Sequence, residues 1–154
     1  VSWFFASIGL IFWIVLFTIF IYRIIFHDPL PARLYPTLAI LIAPPAVGAI
    51  ALTRLTDELG ESIRILYFFS LFLTLLLALQ VPRFLRLRFT LSWWAYSFPV
   101  AAVTLATIMM HHATGLTSFR SLAIGLFAVL SLLIIALIAK TVAAARRHEI
   151  CVPE

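Results

Sequence analysis

Apolar runs of bilayer length recur along nearly the whole of this chain, and that recurrence limits its fold more than any single motif does. A helix rises about 1.5 Å per residue and the hydrocarbon core is about 30 Å thick, so a span needs roughly 18–20 mostly apolar residues. Five stretches meet or approach that length: about Ser2 to Phe26, Thr37 to Thr53, Ser62 to Val81, Phe89 to Met110 and Ser118 to Ala145. A soluble fold has too little to cover itself with, since 11% of residues are charged and 64% hydrophobic, against about a quarter charged in ordinary soluble domains. The expected fold is an all-α polytopic membrane domain occupying residues 1–154, two helical hairpins plus one helix, with a polar tail at 146–154. The lipid bilayer is its first partner.

Each span ends for a local reason. His27-Asp28-Pro29-Leu30-Pro31 closes the first, because proline cannot continue the helical ladder and biases its predecessor away from helix. The polar stretch Arg54 to Glu61 follows the second, Pro82 ends the third, and His111, His112 and Gly115 form the turn after the fourth. Basic residues lie between the runs rather than along one face, which marks them as topology signals and excludes nucleic acid as a partner. Arg23, Arg33, Arg83, Arg86, Arg88, Lys140, Arg146 and Arg147 fall on one side of the membrane, and only Arg54, Arg64 and Arg120 on the other. Eight against three places the C-terminus in the cytoplasm and Val1 outside. The first run is too long for a signal peptide and has no basic residue before it, so it reads as a true span. With no initiator methionine at Val1 and an odd number of spans, an upstream part of the protein is expected. Cys151 is the single cysteine and has no partner for a disulfide or metal cluster.

Prolines within the spans are the informative chemistry, because each removes one helical hydrogen bond and frees a carbonyl. Pro44 and Pro45 are expected to break the second span and Pro99 the fourth, both near the midplane. The first, third and fifth spans contain no interior proline. Paired broken helices of matching depth point to a transport pathway, while packing kinks are the alternative explanation of the same residues. Phe98 precedes Pro99 at that depth; a bulky apolar ring there either occludes a pore by excluding water or simply packs. No Asp, Glu, Lys, Arg or His occupies the centre of any span, which argues against a proton-coupled pump. The pathway would then be lined by backbone and by hydroxyls such as Ser97, Thr104 and Thr107. His111 and His112 are adjacent, so they point to different faces and suit a metal poorly. No nucleophile–base set, phosphate loop or metal spacing is present, so no enzyme, cofactor or metal is expected.

The segments Pro29-Leu30-Pro31, Pro36-Thr37-Leu38-Ala39-Ile40-Leu41-Ile42-Ala43-Pro44-Pro45-Ala46-Val47-Gly48 and Ser92-Trp93-Trp94-Ala95-Tyr96-Ser97-Phe98-Pro99 resemble the tellurite-resistance/dicarboxylate transporter family. That family includes bacterial TehA, fungal malate transporters and plant guard-cell slow anion channels. The resemblance implies a ten-helix fold of five hairpins around a central pore, with kinked odd helices inside, usually as a trimer. The five spans here resemble its helices six to ten, so an N-terminal five-helix half would be a missing partner. A phenylalanine of the ninth helix plugs the pore in the family, and Phe98 holds that place in the FP motif. The expected function is passive permeation of a small inorganic or organic anion, of C4-dicarboxylate or tellurite type, through a proline-kinked pore gated by Phe98. Arg83, Arg86 and Arg88 would concentrate anions at the inner mouth. The alternative is a non-conducting membrane subunit or scaffold. The short tail resembles the bacterial branch, which implies the bacterial inner membrane.

Overall fold

The computed structural model describes residues 1–28, 32–84 and 89–147. Among them every regular element is helical: α1 (Ser2–Phe26), a 3-10 segment (Ala32–Ile42) running into α2 (Ala43–Thr56), α3 (Glu61–Ala78), the short α4 (Val81–Phe84), a 3-10 segment (Leu91–Tyr96) running into α5 (Ser97–Thr114), and α6 (Thr117–Arg146). Five of these helical stretches are long and apolar enough to cross a membrane. The all-α polytopic expectation is therefore met.

The spans differ in where they sit. Those carrying α2 and α5 are the most buried, 39% and 44% of their most apolar window, whereas α3 is 22%, α6 11% and α1 0% buried. The proline-bearing helices are thus the inner pair, and the uninterrupted ones lie around them. Small side chains make this closeness possible. Ala43, Ala46 and Ala49 of α2 share a buried cluster with Ala102, Ala106 and Met110 of α5 and with Ile63 and Tyr67 of α3. In a bilayer, lipid tails are as apolar as leucine, so helices associate through close packing and hydrogen bonds rather than by escaping water. Alanines let the backbones approach, and that contact holds the inner pair together. A second cluster joins Ile42, the last residue of the 3-10 segment before α2, to Leu73 of α3 and Val103 of α5. The first span docks lightly through aromatic edges, with Trp13 and Phe17 6.1 and 5.5 Å from Phe69 of α3.

Several boundaries differ from expectation. Neither proline site interrupts its span. Each proline ring excludes an α-helical turn on its N-terminal side, and the preceding residues tighten into 3-10 winding, which keeps the chain helical. Pro44 and Pro45 then occupy the second and third positions of α2, and Pro99 the third of α5, where a missing N–H costs little. The third span ends at Ala78, before Pro82, which instead lies in the first turn of α4. His111 and His112 are still helical; α5 stops at Gly115, whose φ of +69° is one that glycine adopts without strain.

Candidate functional site

The segment around Phe98 is fixed from both sides. Thr90 is extended, its hydroxyl is 2.7 Å from that of Ser92, and its carbonyl accepts the amide of Trp93 at 3.0 Å, starting the 3-10 turn. Ser97 donates to the Trp94 carbonyl at 2.7 Å, across the junction where 3-10 winding becomes α. Pro99 is buried while Phe98, one residue earlier, is 61% exposed. Phe98 thus turns outward from the most buried span and is left largely uncovered by the described residues. It belongs to a row of exposed residues at seven-residue spacing, about two turns, that runs from Leu91 through Leu105 to His112. The other inner span has the same kind of row in Ile40, Val47 and Arg54. Pro45 is buried and Pro44 half-buried beside it.

The hydroxyls lie differently. Thr104 is buried and donates to the Val100 carbonyl at 2.7 Å; Thr107, fully buried, donates to Val103 at 2.7 Å. Each is spent on its own helix within the packing, and Ser97 likewise on Trp94. The basic cluster is only partly in view: the backbone of Arg83 belongs to α4, and Arg86 and Arg88 lie outside the described residues, as does Cys151. His111 Nδ1 is 3.1 Å from the Leu116 carbonyl, and its ring is 5.8 Å from that of His112. Among the described residues no group of three or more His, Cys, Asp or Glu could hold a metal ion.

Two features were not read from the sequence. Tyr67 of α3 brings its hydroxyl to 3.2 Å from Thr107 Oγ1 of α5. Trp94 Nε1 donates to Thr141 Oγ1 of α6 at 3.1 Å, next to Lys140, whose ammonium lies 4.7 Å from the Trp93 ring and 5.8 Å from Phe89. The available signal was the polar groups within the apolar runs, since a buried hydroxyl or indole N–H usually finds a partner.

An inner pair of proline-bearing spans, an exposed apolar row along each, and apolar helices around them fit an integral membrane protein. The comparisons agree. Residues 1–142 match the family model described as voltage-dependent anion channel, and the chain belongs to that family, the one its proline and SWWAYSFP segments resemble. It is 34% identical over 139 residues to the S-type anion channel SLAH2 of Arabidopsis thaliana, covering 90% of this chain and 27% of that protein. It is 29% identical over 126 residues to the guard cell S-type anion channel SLAC1 of the same plant, covering 82% and 23%. Identity to the uncharacterized transporter MJ0762 of Methanocaldococcus jannaschii is 26% over 154 residues, covering 92% of this chain and 45% of that protein. The chain thus spans about a quarter of the length of these plant relatives and under half of the archaeal one.

Proposed function

We propose that this chain forms the C-terminal part of a passive anion pathway in which Phe98 is the gate. The observation that carries the reading is the exposure of Phe98, 61%, in the first turn of α5, inside the most buried span and beside a buried Pro99. A large apolar side chain that its own half leaves uncovered is placed to meet an N-terminal five-helix half across a narrow lumen. An apolar ring there closes a pore by keeping it dry. Further support comes from the lack of Asp, Glu, Lys, Arg or His in the middle of this chain's spans, which gives these spans no charged relay of the kind a proton-coupled pump uses. In this reading Pro44, Pro45 and Pro99 set the winding of the lining helices, and half-buried Ser97 borders the lining, while Thr104 is packed away from it. Arg83, Arg86 and Arg88 form a basic inner mouth. The protein works as a trimer, with its C-terminus in the cytoplasm. The substrate is a small inorganic or organic anion.

The test is Phe98→Ala in the complete protein carrying this chain, measured as anion flux in liposomes and normalised to folded protein. Removing the ring leaves space that water can fill, and basal flux rises roughly severalfold or more, with selectivity nearly unchanged because no charge is altered. Partial exposure keeps the stability cost below the about 3–5 kcal/mol of truncating a fully packed phenylalanine. Wild-type open probability and conductance in a well-folded Phe98→Ala protein would remove the gate. Absence of anion flux from both proteins under every gating condition would favour the non-conducting scaffold.

A further inference from the structure

We propose that Tyr67 is a positioning residue for the gate: through Thr107 it fixes the rotation of α5 that turns Phe98 outward. The inference rests on the gate reading above and extends it to a residue outside the lining face. Among the described residues, two side-chain hydrogen bonds join different spans, Tyr67 to Thr107 and Trp94 to Thr141. Both end on the Phe98 span, one four residues before the phenylalanine and the other nine after it.

The geometry of the second is specific. Nine residues are two and a half turns at 3.6 residues per turn, so Thr107 leaves α5 on the face opposite Phe98. Its hydroxyl proton is given to the Val103 carbonyl at 2.7 Å, which makes Tyr67 the donor in the 3.2 Å contact. Tyr67 has no freedom to follow if α5 turns. It is 0% exposed, Ser70 donates to its carbonyl at 2.7 Å, and its ring meets Phe119 of α6 edge-on at 5.7 Å. A hydroxyl pair buried in hydrocarbon, each group lacking water as a substitute, holds one rotational register over its neighbours. Rotating α5 enough to withdraw Phe98 therefore breaks this bond.

The experiment uses the complete protein carrying this chain, in liposomes, with variants Tyr67→Phe, Thr107→Val and Thr107→Ser, each also combined with Phe98→Ala. Interhelical hydrogen bonds in membranes predict about a threefold shift in open probability when the bond is lost, and at most about twentyfold. Tyr67→Phe and Thr107→Val should give the same shift, their combination no more than either alone, and Thr107→Ser should retain wild-type gating. With Phe98→Ala the Tyr67→Phe shift should vanish, which a purely structural role would not produce. A second readout is independent of flux: in a Cys151→Ser background, Phe98→Cys should react with a membrane-impermeant thiol reagent at a rate that changes on adding Tyr67→Phe. Unchanged gating and unchanged thiol reactivity in folded Tyr67→Phe would overturn the inference, as would an equal shift with and without Phe98. If Phe98→Ala itself is silent, the gate and this inference fall together. If it opens the pathway while Tyr67→Phe is silent, only this inference falls.

Discussion

Adding three carbons at Ala106 should destabilise the protein far more than adding the same three at Ala136. Ala106 is 0% exposed in the seam where α5 meets α2 and α3, while Ala136 lies on an exposed face of α6. Membrane helices have no water to escape on associating, so the seam depends on contact distance, and contact distance depends on small side chains. A leucine at Ala106 must displace Ala46, Ala49 or Tyr67, all of which are also 0% exposed. Overpacking of that kind costs about 1–3 kcal/mol, a factor of about 5 to 150 in the folded population. At Ala136 the added carbons meet lipid, and the expected cost is close to zero. The assay is a thermal melt of detergent-solubilised complete protein, followed by fluorescence-detected size exclusion, for Ala106→Leu, Ala136→Leu and wild type. The expected order is Ala106→Leu lowest, with the other two together. Equal melting of Ala106→Leu and wild type would refute the seam, and an equal drop for Ala136→Leu would show that the outer face of α6 is packed.

Two further outcomes follow from the charge pattern. Neutralising Arg83, Arg86 and Arg88 together should lower anion flux mainly at low ionic strength, because their field reaches only a Debye length of about 8–10 Å at physiological salt; equal flux in variant and wild type across a salt series would deny them that role. Impermeant thiol reagents applied to intact cells should leave Cys151 unlabelled, as should a cysteine placed at Arg86, if the proposed topology, with eight basic residues against three on the cytoplasmic side, holds; labelling of either from outside would invert it.

What could be read in advance was what depends on neighbours in the chain. The first span runs Ser2–Phe26 in sequence and structure alike, because 25 consecutive helical residues with Arg23 near one end leave little else for that stretch to be. Boundaries shifted where a later residue settled the ending: the histidines continue α5 because Gly115, with its positive φ, is the stop. The prolines marked the right places, yet their effect was a change of winding rather than a break, since whether a freed turn opens or tightens depends on what packs on it. The rotation of α5 is harder still. Its hydroxyls Ser97, Thr104 and Thr107 look alike in sequence, and nothing local says that Thr107 backs onto a tyrosine 40 residues earlier. Once that contact is known, helical periodicity does the rest: Thr107 faces inward, Phe98 lies half a turn away, and Leu105 and His112 continue its row. The direction of the exposed row is therefore specified from behind, by a buried polar partner, Tyr67, on α3. Conservative changes at Tyr67 should accordingly reach Phe98 without altering any residue on the exposed row.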